Sequence, residues 1–229
     1  TDHIEKLTIQ NTSRIHNTGG SIIGISRANP TSSRQRMNNT IRSLTRLGVR
    51  YLITIGGDGT MFLANEVEKA GKGRIKVAHV PKTIDNNIPL PGYIPTFGYE
   101  TARHIGTKLV HYLMEDAGSI INRLASGRED GVAILAEGLT EKLDEEELKH
   151  LKDLSRDEMG RIRLSEGDLG ELLKHETMKS LAQKGIGTRV IEKTIGYELR
   201  SAPPTPFDAK YTRDLGYSAV KYLLSGGSG

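Results

Sequence analysis

YLITIGGDGT (residues 51–60), a helix-like run, and then VAHVPKTIDNN (residues 77–87) form the stretch that decides the fold. Tyr51-Leu52-Ile53-Thr54-Ile55 is a short apolar, β-rich run that stops at Gly56-Gly57-Asp58-Gly59-Thr60. A buried strand that feeds a glycine-rich turn and then a helix is a common way to build a phosphate site. Glycines let successive backbone N–H groups converge on an anion where a Cβ would obstruct the approach. Asp58 sits inside that turn, where a carboxylate makes chemical sense if a divalent cation lies between it and a phosphate.

The pattern then repeats with different chemistry. Lys76-Val77-Ala78-His79-Val80 reads as a second buried strand and ends in Pro81-Lys82-Thr83-Ile84-Asp85-Asn86-Asn87. In a parallel sheet, ligands bind outside the carboxyl ends of the strands. Both turns are therefore expected to open on one crevice. The first offers backbone donors and a metal-binding acid; the second offers a cation, a hydroxyl and a carboxylate able to act as base. Taken alone, Gly-Gly-Asp-Gly is often only a turn and Thr-Ile-Asp-Asn only a capping segment. Two such turns, each directly after an apolar strand, point to a phosphate-handling crevice.

Outward from this stretch the chain alternates strands and helices, which argues for α/β layers with a mostly parallel sheet. Met37, Ile41, Leu44 and Leu47 form a helical stripe that Gly48 stops. A helix is expected from Thr60 to Ala70, with Met61, Leu63 and Ala64 on its packing face. A long helix follows over 96–116, carrying Arg103 and His104 on its polar side, and a short one over 119–125. Residues 131–136 and 188–195 read as third and fourth buried strands. Amphipathic helices are expected over 143–154 and 169–181, and Asp208 is expected to cap a last helix over 209–224.

The chain has 229 residues, a net charge of +4 and a pI near 9.2. That balance suits anionic ligands but is too mild to demand nucleic acid, and three Phe with no Trp give no base-stacking pattern. The absence of cysteine excludes disulfides and a thiol nucleophile. No apolar run approaches ~18 residues, so no membrane span is expected. No leader is visible, so the cytoplasm is the expected compartment. Thr1 in place of Met, and a Gly- and Ser-rich end, read as the ends of a piece.

In this order, IGGDGT, PKTIDNN, AEG, GYELR and PTPFD resemble the 6-phosphofructokinases, in the group that holds the pyrophosphate-dependent and the longer ATP-dependent enzymes. GGSIIGISR (residues 19–27) is similar to that family's Gly-Gly-Thr-x-x-Gly-Ser-x-Arg segment. GGDGT by itself also occurs in NAD kinases and diacylglycerol kinases. PKTIDN, GYELR and PTPFD speak against an NAD-kinase-like enzyme.

The resemblance implies a layered phosphofructokinase-like fold with two α/β domains around a crevice. Residues 1–117 would bind the phosphate donor, 118–208 the sugar phosphate, and 209–229 would form a C-terminal helix. It implies that Asp85 takes the proton from the 1-hydroxyl of fructose 6-phosphate, with Lys82 and Thr83 steadying the transferring group. Gly56, Gly57, Gly59, Thr60 and Arg27 would cradle the donor, and Asp58 would hold Mg²⁺. Glu137 would bind sugar hydroxyls. Tyr197 and Arg200, with Arg189 as a further candidate, would hold the 6-phosphate. Gly59 favours ATP as donor; Lys82 pulls toward pyrophosphate, the alternative. A homodimer or homotetramer is implied as well.

The departures from that pattern are specific. Asn87 stands where the family carries a second Asp. The family's Met-Gly-Arg segment is absent: Met114-Glu115-Asp116-Ala117 runs straight into Gly118-Ser119-Ile120, as though about sixty residues of strand and helix were missing. An N-terminal Gly-rich loop and a C-terminal segment are missing too. A non-catalytic phosphofructokinase-like subunit is therefore a further reading.

Overall fold

The computed structural model describes residues 4–24, 26, 28–125, 133–136, 138–139, 169–183, 185 and 189–229. Among these, the elements in order are helix α1 (Ile9–Thr12), α2 (Arg34–Arg46), strand β1 (Tyr51–Gly56), α3 (Asp58–Gly71), β2 (Lys76–Pro81), α4 (Tyr99–Ala125), α5 (Leu169–Gln183), α6 (Tyr197–Arg200) and α7 (Pro206–Leu224). The fold is α/β with a parallel sheet, as expected from the alternation of strands and helices. The chain divides into two compact units, Thr1–Lys108 with Gly196–Gly229, and Leu109–Ile195.

The first unit is built on β1 and β2. They pair in parallel from Tyr51 opposite Lys76 to Gly56 opposite Pro81. Alternation along β2 sends Val77 to one face and Ala78 and Val80 to the other. Val77 packs with Ile75, Ile41 of α2, and Ala64 and Val67 of α3. Ala78 and Val80 pack with Ala219 and Leu223 of α7. The sheet is thus covered on both faces, which is why β2 carries apolar residues on both of its sides. Ile75 and Val77 are each 1% exposed, and burying such a side chain stabilises the fold by about 1.5–3 kcal/mol. Ala64 lies in this core and Leu63 packs beside it, but Met61 is 43% exposed and is not on the packing face. The C-terminal helix, expected as a separate segment, packs on β2 within this unit.

Several expectations are corrected. The third strand is not formed where it is described: residues 133–136 are unpaired and exposed, Ile134 at 57%. Residues 189–195 likewise form no strand, and Ile191 is 75% exposed. A strand persists only with a ladder partner, and the only strands that pair among the described residues are β1 and β2. The helices expected over 96–116 and 119–125 are one helix, α4, whose start is set at Tyr99 by Gly98 at φ +94. Arg103 on α4 closes onto Glu100 at 2.7 Å, an exposed polar-face pair. The helix expected over 143–154 lies outside the described residues.

Asp208 does not cap α7. Thr205 does, accepting the Asp208 N–H, with Pro206 at the first helical position. The Asp208 carboxylate reaches instead to the start of α4, where it accepts the N–H groups of Gly98 and Thr101 at 2.8 Å each and the Thr101 hydroxyl. Those N–H groups would otherwise be orphaned at a helix start, so a carboxylate only 2% exposed is satisfied there.

Candidate active site

β1 delivers its turn through a backbone constraint. A Cβ on Gly56 would overlap the Thr60 side chain, so only glycine lets α3 begin this close to the strand. Gly57 is the helix cap and Asp58 the first helical residue. Asp58 Oδ1 accepts the Gly59 N–H at 2.7 Å, which holds its carboxylate at the positive end of α3. A Cβ on Gly59 would meet nothing within 4 Å, so no packing among the described residues requires glycine there.

β2 delivers its turn beside the first. The Lys82 N–H donates to the Gly56 carbonyl at 2.7 Å, continuing the ladder past the strand end. A Cβ on Gly57 would stand 3.8 Å from the Lys82 carbonyl. The two glycine- and acid-bearing turns are therefore neighbours at the carboxyl ends of adjacent parallel strands.

The loop that carries Asp85 is held by residues that sequence reading passed over. Thr96 is fully buried; its hydroxyl donates to the Thr83 carbonyl at 2.8 Å and its N–H to Asn86 Oδ1 at 3.0 Å. Asn86 itself has φ +53, a left-handed conformation that Asn tolerates better than most residues. The Asp85 N–H donates to Thr83 Oγ1 at 3.1 Å, while the Asp85 residue is exposed. Lys82 forms a single parallel bridge with Phe97. The result is a loop tied down by hydrogen bonds that carries an exposed Asp85. Clustered polar residues around Gly98 were the available signal, but periodicity does not register them.

His79 also lies near this end. On β2 it stands opposite Thr54, whose hydroxyl is 2.9 Å from Nδ1. Its Nε2 is buried without a hydrogen-bond partner among the described residues. Burial pushes the imidazole below the usual 6.5, with a weaker opposing pull from the Gly56 backbone.

The other expected site residues fall as follows. Arg27 and Glu137 lie outside the described residues, as does the side chain of Tyr197. Arg200 is exposed in the one-turn helix α6, which Leu199 anchors to α4 at 3.6 Å from a Cβ on Gly106. Arg189 is exposed and belongs to the second unit. Among the described residues no group of three or more His, Asp or Glu forms a metal cage. No described helix is long and apolar enough to cross a membrane.

Three comparisons bear on this site. A family model described as Phosphofructokinase matches residues 1–223. A pyrophosphate–fructose 6-phosphate 1-phosphotransferase of Thermotoga maritima is 41% identical over 98% of this chain, and one of Naegleria fowleri is 38% identical over 99%. An ATP-dependent 6-phosphofructokinase of Amycolatopsis methanolica is 27% identical over 98% of the chain. The chain spans 66% of the length of the first two relatives. The Thermotoga alignment runs over 278 positions against 229 residues here, so at least 49 positions have no counterpart in this chain. Relatives thus carry internal residues that this chain lacks. The crystal structure of Pichia pastoris phosphofructokinase in the T-state matches 98% of this chain and 27% of its own, with a TM-score of 0.58 at 18% identity, and so shares the fold.

Proposed function

Because the chain belongs to the phosphofructokinase family, we propose that it takes part in phosphoryl transfer to the 1-hydroxyl of fructose 6-phosphate. The observation that carries this reading is the pairing of Gly56 with Pro81, which sets the Gly-Gly-Asp-Gly turn beside the loop bearing Asp85. In this reading Asp85 accepts the hydroxyl proton. The hydroxyl oxygen bonds to the terminal phosphorus of the donor, and the bond from that phosphorus to its bridging oxygen breaks. Most of the rate comes from alignment and charge stabilisation.

Lys82 and Thr83 flank the transferring group, and Gly56, Gly57, Gly59 and Thr60 cradle the rest of the donor, with the Gly59 N–H held by Asp58 Oδ1. Tyr197 and Arg200 are assigned the 6-phosphate, with Arg189 as a further candidate, and Arg27 and Glu137 keep their roles as donor and sugar ligands. Mg²⁺ fits this donor set, since it is held by one or two carboxylates together with substrate phosphates, and Asp58 is the carboxylate at hand. When bound, the ion would neutralise phosphate charge as it develops.

Gly59 favours ATP as donor. Its missing side chain serves no packing among the described residues, so a ligand could lie against the backbone there. The names of the relatives at 41% and 38% identity favour pyrophosphate, the second reading. An assay of the purified chain with fructose 6-phosphate, Mg²⁺ and each donor separately tests the proposal by the appearance of fructose 1,6-bisphosphate. Turnover with neither donor would sink it in favour of a non-catalytic subunit. We assign the working form to a homodimer or homotetramer, which sedimentation of the purified chain tests.

A further inference from the structure

We propose that the first unit holds a second anion site, for a small phosphorylated ligand, in the cavity between the N-terminal loop and the start of α7. The cavity is about 350 Å³ and is lined by His16, Asn17, Pro204, Pro206, Ala209, Lys210 and Arg213. It shares no lining residue with the β1 and β2 turns, and it is independent of the phosphoryl-transfer reading.

Its two walls are fastened to each other. A Cβ on Gly19 would overlap the Ser201 carbonyl oxygen, so the loop after His16 meets the segment before α7 at glycine-only distance. Pro204 and Pro206 stiffen the opposite wall. Thr205 caps α7 and thereby fixes where Lys210 and Arg213 leave the helix.

The polar lining is cationic. Arg213 has no acidic partner among the described residues, and its planar fork suits phosphate oxygens. Lys210 pairs with Asp214 at 2.7 Å, but that pair is exposed, and exposed pairs are weak enough to be redirected by a bound anion. His16 Nδ1 donates to the Ser13 carbonyl at 3.1 Å, which fixes the ring and leaves Nε2 to accept from a protonated phosphate oxygen. Asn17 adds an amide. Pro204, Pro206 and Ala209 give one apolar side, and the volume sits at the lower end of small-molecule sites, enough for a phosphate carrying a small organic part. A net charge of +4 favours the approach of such a ligand.

The test is a titration of the purified chain with inorganic phosphate, followed by the ring-proton NMR signals of His16 at fixed pH and ionic strength, with chloride as control. The expected result is a saturable shift of the His16 signals by phosphate and not by chloride, with affinity at least tenfold weaker in Arg213→Ala and partly restored in Arg213→Lys. Circular dichroism of both variants checks that the fold is kept. A His16 signal that phosphate leaves unmoved overturns the proposal, as does equal affinity in folded Arg213→Ala. A His16 response in a chain that turns over neither donor leaves this site standing while the phosphoryl-transfer reading falls.

Discussion

The buried Thr96 hydroxyl donates to the Thr83 carbonyl at 2.8 Å, tying the loop that carries Asp85 to a segment ten residues downstream of Asn86. The exposed carboxylate is thus mounted on a buried support. Thr96→Val keeps the shape and removes the donor, leaving a buried carbonyl unsatisfied. The expected cost is about 1–3 kcal/mol in urea unfolding, with a fall in kcat larger than any change in KM for fructose 6-phosphate. Unchanged stability would show that the hydroxyl has no supporting role.

Asp85→Ser removes the proposed base at an exposed position. Turnover is expected to fall by about 10²–10⁴-fold while the thermal midpoint stays within error of the parent. Steady-state kinetics and a melt on one preparation check both halves, and retained turnover would remove Asp85 from that role.

Gly56 and Gly59 are expected to respond in opposite ways. Gly56→Ala places a methyl group into the Thr60 side chain and should destabilise by about 1–3 kcal/mol. A Cβ at Gly59 has open space around it, so Gly59→Asp should barely move the melt, while use of ATP drops relative to pyrophosphate. A variant that uses ATP as well as the parent would count against Gly59 as the determinant of donor choice.

Asp208→Ala leaves the Gly98 and Thr101 N–H groups and the Thr101 hydroxyl without their acceptor. Loss of hydrogen bonds to a charged group at a buried position should cost about 1.5–3 kcal/mol. Asp208→Asn keeps one acceptor oxygen and should cost less. Denaturant unfolding of the pair, run side by side, reads the difference.

His79 should make the first unit sensitive to acid. Its folded-state value lies below 6.5 because burial disfavours the charged ring. The unfolded chain then binds the proton more readily, so the contribution of His79 is fully present above about pH 6.5 and is lost as pH falls through the folded value. His79→Gln should flatten that part of the profile of melting temperature against pH. An identical slope in the variant would place the acid sensitivity elsewhere.

Much of this site was legible in the chain because its signals are local. Apolar runs that stop at Gly56 and at Pro81 give both strands and both turns, since each strand end is marked by residues adjacent in sequence. The third and fourth strands were misread, over their described residues 133–136 and 189–195, for the opposite reason. Residues 131–136 and 188–195 have strand composition, but a strand also requires a neighbour, and composition carries no information about one. Asp208 was misassigned because proximity to a helix start suggested a local cap, while Thr205 three residues earlier satisfies that cap and frees Asp208 for a partner 110 residues away. Thr96 and His79 left no periodic trace, because what they do depends on one contact each.

The bond from Gly98 to Asp208 also has a bearing on the timing of maturation. A polypeptide emerging from the ribosome can bring β1 and β2 together early, since they lie close in sequence. The start of α4, and the Thr96 segment beside it, acquire their anchor only after the start of α7 has been made. The proposed base would then gain its final bearings only once α7 is present, the same helix that covers the Ala78 and Val80 face of the sheet.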